Sequence, residues 1–457
     1  MDQFPAQFQN QERWQKRLIR GLRINRAIAY ALLLRGWQLG AGAVSVLLIS
    51  MFFSEEVQGY YYTCFSLLAL QSFFELGLQI VIVSSASHQW ADLKLDVKKK
   101  IVGSVDSLSR LISLGRMIAV WYAAACVVFV VVVGICGAIF FAQKEATLVT
   151  WQGPWLSLVV LNGLLLWTLA FNALLEGCNQ VASVNKFRVV QAVCANISVW
   201  TAIMLGAGLW AAVAATAARL LCDIYFLAIH YRHFFAVFLS RSKGPQLKWG
   251  TDIWPMQWRM AISALFSYFE FSIFTPVIFH YHTAEIAGRT GMTLTLIFVV
   301  QAAALAWVQT RAPQFGMLIA KREFDELDRI FMRASLISTG VLVGGAGILL
   351  GLISLLQITE MQLGERLLPL LPTALFLLAL IVNQLPKCQE IYLRSHRREP
   401  FVVINMLSSV VAATLVWGLG GGVWGPTGAA IGLLLTVTLI NLPWKTWVWL
   451  RCRRDWH

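Results

Sequence analysis

The sequence has few charged residues and lacks the short motifs of metal or thiol chemistry. Asp, Glu, Lys and Arg make up only 13% of the 457 residues, whereas hydrophobic residues make up 58%. No C-x-x-C pair and no H-x-x-x-H or H-E-x-x-H spacing occurs, so no metal site is predicted. The eight cysteines fall in predicted spans or on the side assigned below to the cytoplasm, so no disulfide framework is expected.

Such an apolar chain does not fit a soluble domain, because a soluble core of this size cannot bury that much apolar surface. Hydrophobic runs of roughly 20 residues, each long enough to cross a hydrocarbon layer of about 30 Å, recur along the whole length. The sequence therefore predicts an all-α polytopic membrane protein. Its twelve transmembrane helices are predicted at residues 27–53, 60–86, 112–141, 155–177, 188–207, 209–230, 259–281, 290–319, 334–357, 367–388, 401–420 and 426–450.

Residues 1–26 form a basic N-terminal segment, and no A-x-A-like cleavage site follows the first apolar run. A cleaved signal peptide is therefore not expected. Trp14, Leu18 and Leu22 recur at a spacing of four, which is typical of an amphipathic helix on the membrane surface. A solvated basic tail is an equally good interpretation.

The basic residues predict the orientation. An even number of helices puts both termini on one side, where the loops and tails carry 29 Lys and Arg. The opposite side carries only Lys144, Arg289 and Arg366. Both termini are therefore predicted in the cytoplasm. The pI near 9.6 then reflects topology rather than nucleic-acid binding.

Two short internal repeats indicate a duplicated architecture. The segment 56-EVQG-59 matches 285-EIAG-288 at an offset of 229 residues, and 111-LISLG-115 matches 336-LISTG-340 at an offset of 225. These matches predict two parallel six-helix halves, residues 27–230 and 259–450, around a central cavity. A basic cytoplasmic linker, residues 231–258, joins the halves, and residues 451–457 form a cytoplasmic tail.

Five basic residues lie inside the predicted spans, where a cation at the bilayer centre costs about 2.5–3.5 kcal/mol. They are Arg35, Arg116, Arg219, Arg311 and Lys445. Lys445 is close enough to a cytoplasmic end to snorkel, and for Arg116 snorkelling and a cavity position are equally good interpretations. Asp223 follows Arg219 by four residues, which puts the two on one helix face. We expect either a structural ion pair or a pair that opens to bind substrate or to carry a proton.

The remaining arginines have distinct surroundings. Pro313 is predicted to break the helix beside Arg311, which indicates a site or a gate. Arg35 lies about 12 Å from the cytoplasmic end of its helix, so it either snorkels or lines a cavity open to the cytoplasm. Guanidinium groups bind phosphate bidentately, so Arg35, Arg219, Arg311 and Arg116 are predicted to bind a pyrophosphate.

Acidic and amide side chains are also predicted inside the spans. Glu75 and Glu270 lie deepest, and with Asp223 they are candidates for proton coupling or for salt bridges to the arginines. The amide candidates for contacts with sugar hydroxyls are Gln38, Gln301 and Gln309. Interhelical hydrogen bonds explain any single amide equally well.

Four segments carry a family resemblance: 54-SEEVQGYYYTCFSLLALQSFFELGL-78, 254-WPMQWRMAISALFSYF-269, 284-AEIAGRTGMTLTL-296 and 307-WVQTRAPQFGMLIAKREFDELDRIFMR-333. In order and topological placement they resemble the bacterial O-antigen and polysaccharide flippases of the multidrug, oligosaccharidyl-lipid and polysaccharide exporter (MOP) superfamily. The resemblance implies an inner-membrane transporter. Its substrate would be an oligosaccharide repeat unit on undecaprenyl diphosphate, moved from the cytoplasmic to the periplasmic leaflet by alternating access. The family's basic cavity residues carry over only to Arg311.

The sequence predicts a transporter rather than an enzyme, without a cofactor and with an H⁺ or Na⁺ gradient as its driving force. Polymerase and chain-length proteins of a polysaccharide pathway are the expected partners. A MATE-like exporter of cationic compounds has the same fold but needs an acidic cavity. A membrane-embedded O-antigen polymerase or transferase generally needs a large external loop, and the longest one predicted here is only 143-QKEATLVTWQGP-154.

Overall fold

The protein is a bundle of long helices. The computed structural model describes residues 26–96, 99–144, 149–240, 244–247, 249–254, 257–258, 261, 266, 268–269, 272–396 and 398–456. In these ranges ten helices are long and apolar enough to cross a membrane, and a bent helix pair makes an eleventh candidate. The described end of the seventh predicted span, Phe274–Tyr281, is also helical. The predicted N-terminal amphipathic helix and Glu270 lie outside the described residues.

The first half contains the helices α1 (Arg26–Phe52), α2 (Glu55–Leu68), α3 (Gln71–Glu75), α4 (Leu78–Trp90), α5 (Val105–Ala142), α6 (Gln152–Gly177), α7 (Val181–Met204) and α8 (Trp210–Ile224). A π-helical turn, Tyr225–His230, continues α8. The linker begins with the short helix α9 (Arg232–Ala236) and a 3₁₀ turn, Val237–Leu239. A second π-helical turn, Trp249–Ile253, follows in the linker.

The second half contains α10 (Phe274–Tyr281), α11 (Ala284–Gln309), α12 (Ala312–Lys321), α13 (Phe324–Ile358), α14 (Gln362–Glu365), α15 (Leu370–Ser395), α16 (Val402–Gly420), α17 (Gly425–Thr436) and α18 (Leu442–Trp456). The π-helical turn Val437–Asn441 joins α17 to α18. In the first half α7 packs between α1 and α8, and α6 contacts α4, α5 and α8. In the second half α13 packs between α11 and α15, and α17 contacts α15 and α16. This two-half arrangement agrees with the predicted twelve-helix architecture.

Several helices extend beyond the predicted spans. The span predicted at 112–141 is α5, Val105–Ala142, and the span predicted at 334–357 is α13, Phe324–Ile358. The last helix continues to Trp456, through most of the predicted tail. The predictions followed only the apolar part of each helix. Polar first turns such as 324-FDELDRI-330 also favour helix, because carboxylates stabilise a helix N-terminus.

The second predicted span is not one straight helix. Leu76 and Gly77 both have left-handed backbone, with φ of 51° and 62°, so the chain bends by 44° between α2–α3 and α4. Glu75 is the last residue of α3, directly before this bend. The predicted break near Arg311 is confirmed, because α11 ends at Gln309 and α12 begins with Pro313 in its first turn.

A small β-hairpin, absent from the all-α prediction, connects α4 to α5. Its strands are β1 (Leu93–Leu95) and β2 (Ile101–Gly103), and they pair in antiparallel register with Leu95 opposite Ile101. In the turn, the Lys99 amine lies 2.7 Å from Nε2 of His230 and 4.5 Å from the ring centroid of Tyr231. Partial burial there lowers the pKa of the Lys99 amine.

The two halves meet where α2 contacts α11. The two helices begin in the same way. Ser54 caps α2 by accepting a hydrogen bond from the Val57 amide, and Thr283 caps α11 by accepting from the Ile286 amide. Ser54 and Thr283 are separated by the same 229 residues as Gly59 and Gly288 of the internal repeat. The first repeat match therefore corresponds to two equivalent helix starts.

Gly59 and Gly288 lie directly against each other. A Cβ at Gly288 would be 2.7 Å from the backbone nitrogen of Gly59, and a Cβ at Gly59 would overlap the carbonyl oxygen of Ala284. An ion pair of 2.9 Å between Arg289 and Glu55 adds to the contact. We call this region the closed end of the bundle. Only glycine permits this backbone approach, so equivalent positions of the two halves close the end.

We predict that Gly59→Leu prevents closure, because the side chain has no space against Ala284. The readout is maleimide labelling of Thr63→Cys, a buried position on α2, in a cysteine-free variant in nanodiscs. Labelling should be several-fold faster with Gly59→Leu. Gly347→Leu is the matched control, since its Cβ would meet no atom within 4 Å. Equal labelling rates for the two variants would show that the glycine contact does not close this end.

Candidate functional site

Two cavities that share one polar residue lie in the bundle. The first, which we call the polar cavity, has a volume of about 330 Å³ and lies within the first half. The second, the inter-half cavity, has a volume of about 690 Å³ and lies between α1 and α11. Gln38 of α1 lines both cavities. A ligand that spans them would therefore contact both halves.

The polar cavity is lined by charged and amide side chains from five helical segments of the first half. The charged residues are Arg188, Arg219 and Asp223. The amides are Gln38, Gln71, Asn162, Asn172 and Gln191. Amide groups offer both donors and acceptors, so this lining can bind hydroxyl-rich as well as charged groups.

The predicted ion pair between Arg219 and Asp223 is not formed. Instead, the Asp223 carboxylate accepts hydrogen bonds from Thr168 at 2.8 Å and from Asn172 at 3.3 Å, both on α6. Asp223 is only 5% exposed. The neighbouring helix α6 therefore supplies neutral donors that satisfy the carboxylate. The i, i+4 spacing of Arg219 and Asp223 along α8 does not lead to an ion pair.

Arg219 consequently has no counterion among the residues that the structure describes. Its guanidinium makes no hydrogen bond or ion pair with the described part of the chain, while its backbone carbonyl accepts from Gln191 at 3.2 Å. It lies nine residues from the start of α8, about 13 Å along the axis and near the middle of the continuous helix 210–230. A cation at this depth, facing a cavity, is the strongest feature of the site.

Arg188 was counted as a loop residue in the sequence but belongs to the polar cavity. Helix α7 begins at Val181, seven residues before it, so the charge is carried into the bundle. Its guanidinium pairs with Glu176. Spacing of the apolar residues in 181-VASVNKFRVV-190 does not reveal which way this arginine faces, and only the packing of α7 against α8 determines it.

In the inter-half cavity, Arg35 donates a 3.2 Å hydrogen bond to Oε1 of Gln309. Arg35 thus faces α11 of the other half. A snorkelling side chain would instead point towards the membrane surface. Gln301 also lines this cavity, and it is 4% exposed with an Nε2 that has no hydrogen-bond partner in the described part of the chain. The predicted polar residues Arg35, Gln38, Gln301 and Gln309 therefore lie around one cavity.

The other predicted candidates lie elsewhere. Arg116 donates to the backbone carbonyls of Phe238, Leu239 and Ser240, so it holds the linker. Arg311 is exposed and donates to Gln314 one turn away, outside the two cavities. Neither contributes to the polar lining in this conformation.

Two further ionisable residues differ from their expected surroundings. Glu75 is partly buried at the bend and forms no ion pair with an arginine of the described chain. Lys445 does not snorkel, because it is 1% exposed, with its amine 5.7 Å from the ring centroid of Phe401. Depth along the helix did not predict this burial, which depends on the packing of α18 against α15.

We predict that Thr168→Val destabilises the protein by about 1–3 kcal/mol, because it removes a donor from a buried carboxylate. The free energy of unfolding can be measured by reversible SDS titration. Thr201→Val is the matched control, since the Thr201 hydroxyl is exposed and contacts only the Ile197 carbonyl of its own helix. Equal losses for the two variants would show that Asp223 does not depend on Thr168.

No protein-family model matches the chain, and no curated protein sequence matches it. Several solved structures are similar to it. An inward-facing multidrug resistance MATE family transporter of the MOP superfamily matches with a TM-score of 0.60 at 11% identity, covering 90% of this chain and 99% of that one. The lipid II flippase MurJ, in an inward closed conformation, matches with a TM-score of 0.56 at 11% identity, covering 94% and 90%.

A third similar structure is a MOP superfamily transporter from Pyrococcus furiosus, for which a reverse polarity of the binding pocket is said to suggest a different function. It matches with a TM-score of 0.53 at 11% identity and covers 95% of this chain and 98% of that one. A structural likeness at this low sequence identity shows the fold alone. The chain is a multi-pass membrane protein with the helix arrangement of the MOP superfamily transporters.

Proposed function

We propose that the protein is a flippase for an oligosaccharide repeat unit linked to undecaprenyl diphosphate, of the O-antigen or a related surface polysaccharide. The observation that carries the proposal is the uncompensated positive charge of the two cavities. Their linings contain Arg35 and Arg219, which pair with no carboxylate of the described chain, and Arg188, which pairs with Glu176; the one carboxylate in the linings is Asp223. A diphosphate supplies the missing negative charge.

Arg219 is costly to place inside a membrane without a charged partner. A cation at mid-membrane costs about 2.5–3.5 kcal/mol, and no carboxylate of the described chain pairs with this one. A bound phosphate would offset that cost, since guanidinium and phosphate form charge-assisted, often bidentate hydrogen bonds. The surrounding amides, including Gln38 and Gln191, can then bind sugar hydroxyls.

The orientation follows from the basic residues, which predict both termini in the cytoplasm of a bacterial inner membrane. The closed end then faces the periplasm, and the inter-half cavity receives the substrate from the cytoplasmic leaflet. Alternating access requires the α2–α11 contact to open while the opposite end closes. An H⁺ or Na⁺ gradient is the expected driving force, with Asp223 and Glu75 as the candidate coupling groups. Polymerase and chain-length proteins are the expected pathway partners.

An exporter of cationic compounds is the main alternative, because multidrug transporters share the fold. The charge balance argues against it, since the two unpaired arginines, Arg35 and Arg219, repel a cation that the carboxylate of Asp223 attracts. A membrane-embedded O-antigen polymerase or transferase has less support. Only two residues separate α1 from α2, and two separate α10 from α11, which leaves little external loop at those positions.

We predict that Arg219→Ala weakens binding of the undecaprenyl-diphosphate-linked unit by about 1.5–3 kcal/mol, or roughly 10- to 150-fold. Arg219→Lys should recover part of the loss, because the charge remains but the bidentate geometry does not. Binding can be measured by thermophoresis on purified protein in nanodiscs. Arg329→Ala is the matched control, since Arg329 is exposed and pairs only within its own helix.

In cells, Arg219→Ala should cause repeat units on undecaprenyl diphosphate to accumulate in the cytoplasmic leaflet, with loss of surface polysaccharide at normal protein levels. Normal surface polysaccharide in Arg219→Ala cells would refute the diphosphate site. Absence of lipid-linked intermediates in cells that lack the whole protein would refute the flippase itself. Faster efflux of cationic dyes by the wild-type protein would favour the exporter.

A further inference from the structure

A third cavity opens on the side of the first half, away from the two polar ones. It has a volume of about 630 Å³ and lies between α5, α6, the end of α8 and the linker. Most of its lining is apolar, with aromatic side chains from α6 and from the linker. Its apolar lining includes Ala119, Trp167, Phe171, Leu227, Phe235 and Phe238. We call it the apolar groove.

The apolar groove is separate from the proposed substrate site. On α8, Asp223 faces the polar cavity, whereas Ile224 and Leu227 line the groove. Thr168 of α6 lines the groove and hydrogen-bonds Asp223 on the other side, so it forms part of the wall between them. The groove's rim residues Ile224 and Leu239 are 48% and 85% exposed, as expected of positions that face lipid.

The charged residues of the groove are both basic. Arg116 and Arg232 line it, and no acidic residue does so in the described part of the chain. Arg116 uses Nε and Nη2 to hold three linker carbonyls, and Arg232 uses Nε on the His233 ring. The other guanidinium nitrogen of Arg116 and both terminal nitrogens of Arg232 make no hydrogen bond within the described residues. These donors stand at the mouth of an apolar space.

We propose that the apolar groove binds an anionic phospholipid of the surrounding bilayer. One acyl chain lies along Phe171, Leu227 and Phe235, and the phosphate is bound by Arg232 and the free edge of Arg116. Basic pockets between transmembrane helices on the cytoplasmic side are suited to acidic lipid headgroups. The lipid would also stabilise the linker, because the linker helix α9 and the following turn form one wall of the groove.

The linker contacts α5 beside the proposed lipid site, so a bound lipid would add to these contacts. Gly115 leaves no space for a side chain, since a Cβ there would overlap the Phe238 ring. The amides of Gly244 and Leu247 donate to Ser109 and Ser113 on the same helix. A lipid beside Phe238 therefore acts on the segment that connects the two halves, on the other side of the Thr168 wall from the polar cavity.

The test is native mass spectrometry of the full-length protein with phosphatidylglycerol and with phosphatidylcholine, together with thermal unfolding in detergent. We expect the wild type to retain phosphatidylglycerol in preference to phosphatidylcholine and to unfold at a higher temperature with it. Arg232→Ala should lose the preference. Ala228→Phe, which fills the groove and keeps both arginines, should reduce retention of either lipid. Arg329→Ala should behave like the wild type.

Equal retention of the two lipids by the wild type, or an unchanged preference in Arg232→Ala, would overturn the proposal. A loss of binding to the undecaprenyl-diphosphate-linked unit in Arg232→Ala, with phosphatidylglycerol binding unaffected, would also overturn it and assign the groove to the substrate. Failure of the flippase assignment alone leaves the lipid result unaffected, because the assay does not use transport.

Discussion

The backbone contact between Gly59 and Gly288 is the constraint on which the rest of the architecture depends. Two helix starts, one from each half, approach so closely that no Cβ fits between them. Where two helices contact each other through glycine, their backbones approach closely. The van der Waals packing gained in this way drives helix association inside a membrane. Because the halves are fixed to each other at this end, the space between them develops along α1 and α11, and the inter-half cavity lies there.

Charge within the bundle is distributed in a way that packing alone does not require. Asp223 has neutral donors from α6, and Arg35 has a neutral acceptor on α11. Arg219 has no partner in the described chain. If the protein needed only structural stability, pairing Arg219 with Asp223 along one helix face would cost less, since an unpaired cation inside a membrane is expensive. The arrangement instead keeps guanidinium groups available within a cavity.

The sequence predicted the membrane class, the two halves and the break before Pro313, because long apolar runs and proline have strong local effects. It also predicted that Gln38, Gln301 and Gln309 are polar groups inside the bundle. It missed Arg188, because charge density near 186–188 resembles a loop. It predicted an Arg219–Asp223 pair that does not form, because spacing along one helix cannot reveal the competing donors of Thr168 and Asn172 on another.

The Arg35 contact explains how the inter-half cavity can exchange a protein contact for a ligand. A hydrogen bond between a guanidinium and a neutral amide is weaker than the same bond to a phosphate, because both partners are then charged. A diphosphate, as proposed for the substrate, could thus replace Gln309 at Arg35 and break this hydrogen bond between α11 and α1. Other contacts between the halves would remain, including the glycine contact at the closed end and the hydrogen bond from Gln58 to the Arg366 carbonyl. Binding of an anion would therefore remove one link between the halves, whereas alternating access also requires the α2–α11 contact to open.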